Sequence, residues 1–142
     1  MPDQINIFLE NKPGRLKTVT RLMADHNINL RALVVQDRGD FGMLKIFADD
    51  PDRAFQALVA ANFACARRPV LAVAVEDQPG GLSRLVDALH TAGLNVLDAY
   101  GFVMHPHRTA VCCVETENCE KARAAAVTAG FHVLDDGEIR DL

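Results

Sequence analysis

Two apolar runs rich in β-branched residues, INIFLE at 5–10 and VLAVAVE at 70–76, each end at a polar turn. Their length and composition predict buried strands. Pro13 and Pro79 follow where a helix can begin, because the N–H that proline lacks is not needed at the first helical position. Leu16, Val19, Leu22 and Met23 then recur at three- and four-residue spacing, as do Leu82, Leu85, Val86 and Leu89. That period places each set on one helix face, turned toward a sheet. NLRALVVQ (29–36) and NVLDAYGFV (95–103) read as second strands, GMLKIFA (42–48) and TAVCCVE (109–115) as third strands. Second helices are expected from about Pro51 to Ala61 and from about Glu117 to Ala129, with Gly130 as the C-cap. FACARR (63–68) and FHVL (131–134) would be the fourth strands.

The two halves are copies of one pattern. ENKPGRL at 10–16 returns as EDQPGGL at 76–82, and at the same 66-residue offset Asn29 meets Asn95 and Leu30 meets Val96. A shared offset across motifs and pattern classes marks a duplicated unit. The order strand, helix, strand, strand, helix, strand predicts an α+β protein. It would consist of two ferredoxin-like βαββαβ units packed side by side, each an antiparallel sheet with helices on one face. One such unit alone has a marginal core. The short RRP junction at 67–69 leaves no room for a flexible linker, so the units are expected at 1–68 and 69–142 as one compact double domain.

Composition narrows the function classes. The 142 residues are 49% hydrophobic and 24% charged, ordinary for a globular protein. No apolar run approaches the roughly 18 residues of a membrane span, and the N-terminus has no export pattern, so no membrane association is expected. The four cysteines (Cys65, Cys112, Cys113, Cys119) form no CxxC pair and read as reduced thiols of a cytoplasmic protein. The net charge of −4 divides into +2 over residues 1–68 and −6 over 69–142. With no basic stripe, one Tyr and no Trp, nucleic-acid binding is not expected.

With these motifs in place, both units resemble the ACT domain, a small-molecule-sensing module that usually takes amino acids. The resemblance spans the whole chain and rests on NKPGRL followed by INL, and on DQPGGL followed by LNV. The chain as a whole is similar to stand-alone tandem ACT proteins. The first unit is especially similar to the serine-sensing ACT domain of phosphoglycerate dehydrogenase. There an Asn before Pro-Gly and an Asn opening the second strand hold the effector, which here implies Asn11 and Asn29. The resemblance implies ligand contacts from Asn11, Lys12, Pro13, Gly14, Arg15, Leu16, Asn29 and Leu30. In the second unit it implies Asp77, Gly80, Gly81, Leu82, Asn95 and Val96. It implies no cofactor and no catalysis.

The chemistry of these residues suits that role. A helix opening at Pro13 presents unpaired N–H groups and a partial positive charge to a carboxylate. Gly14 lets a ligand approach the backbone. An Asn amide offers a carbonyl to an ammonium and an NH₂ to a carboxylate, so Asn11 and Asn29 can read a zwitterion without carrying charge. Arg15 can add a charge-assisted bond. The same Asn residues also serve as caps and turn formers. Asp77 in place of Asn11, and Gly81 in place of Arg15, make the second turn different: an ionised Asp77 repels a carboxylate, takes an ammonium or caps its helix. The first turn is the preferred site on this reading.

Other constellations carry less. His105 and His107 flank a hairpin near Cys112 and Cys113, but adjacent strand residues face opposite ways and no structural-zinc spacing is present. No catalytic Ser, Cys and His arrangement is specified. The expected function is a non-catalytic regulatory protein that binds a free amino acid at the interface of its two units and acts through a protein partner or a homo-oligomer. The alternatives are a partner-binding subunit without a working pocket, or a metal-sensing variant using His105 and His107.

Overall fold

The computed structural model describes residues 1–142. Its contacts divide the chain into two compact units, one formed by Asp3–Arg68 and one by Pro69–Arg140 together with Met1–Pro2, the last two residues falling one to each. The first unit runs β1 (Asp3–Glu10), α1 (Arg15–Asp25), β2 (Leu30–Arg38), β3 (Phe41–Ala48), α2 (Pro51–Ala60) and β4 (Ala64–Pro69). Its sheet has the order β2-β3-β1-β4. β1 and β2 both lie antiparallel to β3, in a register that sets Ile5 against Ile46 and Ile7 against Leu44. Cross-strand partners share a face, so these four side chains form one apolar floor. Val19 and Met23 of α1 and Ala54, Ala57 and Leu58 of α2 close over it.

The second unit repeats the plan with β5 (Leu71–Glu76), α3 (Gly81–Thr91), β6 (Val96–His105), β7 (Thr109–Thr116), α4 (Cys119–Thr128) and β8 (His132–Val133), in the order β6-β7-β5-β8. Leu71, Val73, Cys112 and Val114 form its floor, and Leu85, Leu89, Ala122 and Ala126 its cover. This is the α+β, ferredoxin-like arrangement expected of each unit, with helices on one sheet face. No helix is long and apolar enough to cross a membrane.

Several details depart from the expectations. Neither proline starts a helix: α1 begins at Arg15 and α3 at Gly81, each capped by a glycine in the left-handed region (Gly14 φ 93°, Gly80 φ 89°). A left-handed residue interrupts the helical path, so Pro13 and Pro79 belong to the preceding tight turns. Leu16, Leu82 and Val86 are not core residues; they are 41%, 53% and 46% exposed. Successive helix positions turn by about 100°. The row Leu85–Leu89 therefore faces the sheet while Leu82–Val86 is rotated toward its margin. α4 is shorter than expected because the Asn118 carboxamide oxygen accepts from Lys121 N at 2.9 Å and fixes the start at Cys119. A further short helix, α5 (Asp136–Arg140), was not expected. Its start is a reciprocal pair: Asp135 N donates to Glu138 Oε2 and Glu138 N donates to Asp135 Oδ1, both at 2.9 Å. The D-x-x-E spacing of Asp135 and Glu138 was the readable signal.

Candidate ligand site

The two Pro-Gly turns are anchored in the same way. After β1 the chain bends, and the Asn11 amide donates to Asp37 Oδ1 (3.0 Å) and to Gly39 O (2.8 Å), while Asn11 N donates to Asp40 O (3.0 Å). In the second unit Asp77 Oδ2 accepts from His107 N at 2.7 Å, and Asp77 N donates to Arg108 O at 3.2 Å. Each residue thus ties its turn to the hairpin between the unit's second and third strands. Donor chemistry in one turn and acceptor chemistry in the other achieve one end. The amide hydrogens of Asn11 are spent on this tie.

Charges at the first turn are largely satisfied within it. Lys12 Nζ and an Arg15 guanidinium nitrogen each lie 2.7 Å from the Glu10 carboxylate. Hydrogen bonds from Lys12 and then Arg15 hold the Glu10 carboxyl below its ordinary range. At the second turn, Arg84 approaches Glu76 at 3.8 Å and the Gln78 amide donates to the same carboxylate. Gly14 has open space where a Cβ would stand, so its φ, not crowding, requires glycine. Gly81 is the reverse case: a Cβ there would lie 2.1 Å from Glu76 O.

Asn29 sits elsewhere. Its N–H donates to Asp49 Oδ1 and its carbonyl accepts from Asp49 N, both at 3.0 Å. Asn11 meets the far end of β2, and the nine residues of that strand span about 26 Å. Within the first unit, one small ligand cannot touch both Asn11 and Asn29. The same strand geometry separates Asp77 from Asn95 in the second. Leu30 and Val96 open their strands and pack against their own cores.

Two clefts border these elements. One, of about 620 Å³, lies against β1, α1 and the approach to β4, with Phe8, Glu10, Arg15, Leu22 and Phe63 among its walls. Of the candidate residues it takes in Arg15. The other, of about 610 Å³, brings Asp77 and Leu82 together with Pro79, Ala99, Gly101 and Cys112. Its floor was missed from sequence. The signal was present in the repeat, where Ala99 and Gly101 stand 66 residues after Leu33 and Val35.

The remaining chemistry is quiet. All four cysteines are free, and Cys112 and Cys113 are buried. Burial pushes the Cys112 thiol up, and burial with the neighbouring Cys112 pushes Cys113 up to about 12. Such thiols stay protonated and are poor nucleophiles. Burial likewise raises the Tyr100 hydroxyl, which faces Cys113 across β6 and β7. No three His, Cys, Asp or Glu side chains converge as a metal site, so His105 and His107 gain no third donor.

A family model described as an ACT domain pair matches residues 2–142. The structure of protein BT0572 from Bacteroides thetaiotaomicron is similar at a TM-score of 0.93 and 31% identity, covering 99% of this chain and 96% of that one. The ligand-free regulatory subunit of aspartate kinase from Thermus thermophilus shares the fold at a TM-score of 0.64 and 18% identity, over 90% and 92% of the two chains. Aspartate kinase from Synechocystis does so at 0.58 and 18%, over 89% of this chain and 25% of the kinase. No curated protein matches the chain.

Proposed function

The chain belongs to the ACT domain pair family, and we propose that this regulatory pair binds a small amino acid beside its Pro-Gly turns and performs no chemistry itself. The family match occupies residues 2–142 and leaves no stretch of them for a separate catalytic domain. We take residues 1–68 and 69–142 as its two domains. The observation that carries the proposal is the cleft of about 610 Å³ beside the second turn, polar at Glu76, Asp77 and Gln78 and apolar along β6. Pockets of this size, mostly apolar with a few placed polar groups, are the usual form of small-molecule sites. The N–H groups in the first turn of α3 add a carboxylate-binding end.

Binding regulates only when two states of the protein differ in affinity for the ligand. A protein partner or a second copy of the chain supplies the second state in this proposal. The thiol chemistry supports a binding role over a catalytic one. A thermal-shift screen of the protein against the free amino acids tests the reading. A ligand at 100 times its Kd stabilises by about 2.7 kcal/mol, a shift of several degrees for a domain of this size. No shift with any amino acid, at concentrations to tens of millimolar, would refute it.

A further inference from the structure

We infer that the second unit carries the working pocket, that Ala99 and Gly101 define it, and that its occupant is a branched aliphatic amino acid. This rests on the amino-acid reading above and adds to it the unit, the residues and the ligand class. The register of the two sheets makes the comparison direct. In the first unit Leu33 pairs with Ile46 and Val35 with Leu44. In the second, Ala99 pairs with Val114 and Gly101 with Cys112. Cross-strand partners share a face, so all four positions lie on the helix-covered side of their sheets, next to the Pro-Gly turn.

The side chains at these positions differ where it matters. Leu33 and Val35, 39% and 59% exposed, stand where the second unit has Ala99 and Gly101, and neither lines the first unit's cleft. A Cβ at Gly101 would stand only 3.1 Å from Val111 O, and leucine to alanine and valine to glycine each remove three carbons, six in all. That is roughly the carbon skeleton of leucine or isoleucine.

The lining argues for the ligand's chemistry. Val75 and Cys112 complete the floor beside Ala99 and Gly101, and Leu82 and Val103, each 53% exposed, stand at the sides. A ligand hydroxyl laid along these groups loses its bonds to water and gains none, which penalises serine or threonine. At the polar end are Glu76, Asp77 and Gln78, and neither Lys nor Arg lines the cleft. Asp77 uses Oδ2 on His107 N, which leaves Oδ1 for an ammonium. The backbone bonds of the turn engage Gly81 N and Arg84 N, leaving the N–H groups of Leu82 and Ser83 for the carboxylate. An acidic side chain would meet the carboxylates of Glu76 and Asp77 with no Lys or Arg among the lining residues.

Calorimetric titration of the full chain with L-leucine, L-serine and L-aspartate, on the native protein and on Ala99→Leu and Leu33→Ala, tests this. Leucine should bind best, at one per chain. Ala99→Leu should weaken it at least tenfold with an unchanged melting temperature, and Leu33→Ala should leave it within twofold. Should Ala99→Leu fail to fold, Ala99→Val, a good strand residue that adds two carbons, should weaken leucine three- to tenfold. Preference for serine or aspartate overturns the ligand class. Full affinity in the Ala99 variants, or affinity governed by Leu33, overturns the location. If none of the free amino acids binds the native chain, the amino-acid reading itself falls and this inference with it.

Discussion

The two Pro-Gly turns began as the same structure and have been kept and changed in different parts. What is kept is the scaffold: the left-handed Gly14 and Gly80, and the tie from Asn11 or Asp77 to the neighbouring hairpin. What has changed is part of what surrounds the turn, although Glu10 and Leu16 recur as Glu76 and Leu82. The first turn carries Lys12 and Arg15, both paired on Glu10, and has Leu33 and Val35 on the neighbouring strand. The second has Gln78, Gly81, Ala99 and Gly101 at the equivalent positions, and Gln78, Ala99 and Gly101 line its cleft. On the proposed reading, duplication let one copy remain a support while the other became a pocket, because both keep the tie and the glycine.

The largest expected effect breaks this comparison at its most asymmetric point. Arg15 and Gly81 are equivalent positions, yet a Cβ at Gly81 would lie 2.1 Å from the Glu76 carbonyl oxygen. That oxygen is backbone and cannot step aside, so α3 or the end of β5 has to move. Gly81→Arg, which gives the second unit the first unit's residue, should cost about 2–3 kcal/mol. Arg15→Gly should cost about 1 kcal/mol, since it removes an exposed pair and weakens a helix end. Urea unfolding of both variants checks this. Equal losses would mean that the second turn is as tolerant as the first.

A middle-sized effect concerns the shared tie. Asn11→Ala removes two hydrogen bonds to the β2–β3 hairpin, and Asp77→Ala removes a charge-assisted one from His107 N. Each should cost about 1–2 kcal/mol in the same unfolding measurement. Asp77→Asn keeps the acceptor and should recover most of that stability. If Asp77→Asn were as damaging as Asp77→Ala, charge rather than hydrogen bonding would be holding the second hairpin.

Much of this was legible in the sequence, and what was not has physical reasons. Short apolar runs such as INIFLE and the 66-residue offset carry the strands and the duplication, because a strand buried on both faces, as β1 is from Gln4 to Ile7, reads as a short bounded run. Helix starts were misplaced by two residues because Pro-Gly is compatible both with a helix opening and with a turn. Only the sign of φ at Gly14 and Gly80 separates the two. The exposed row of Leu82 and Val86 passed as core because helical period identifies a face but not how far the sheet extends beneath it. The resemblance implies Asn11 and Asn29 as ligand contacts, and within the first unit β2 holds them at opposite ends. The floor at Ala99 and Gly101 consists of small residues, and small residues show only by what they replace.

The smallest expected effect is an acid one, and it sharpens the contrast in how the two turns hold their charges. Hydrogen bonds from Lys12 and then Arg15 depress the Glu10 carboxyl below its ordinary value of 4.5. A depressed acid binds protons more readily in the unfolded chain than in the folded one. Its contribution is therefore complete above the unfolded value and is lost as pH falls through the lower, folded value. Below about pH 4.5, the native protein should lose stability more steeply than Lys12→Ala or Arg15→Ala, each of which removes one cause of the depression. Glu138 is depressed as well, by its backbone bond with Asp135 and then by His132. It is unchanged in these variants and cancels from the comparison. Because Glu10 is exposed, solvent screens the effect, and a difference of a few tenths of a pH unit in the acid midpoint is expected. Overlapping acid profiles of native and variant proteins would show that the first turn's ion pairs form without contributing to its stability.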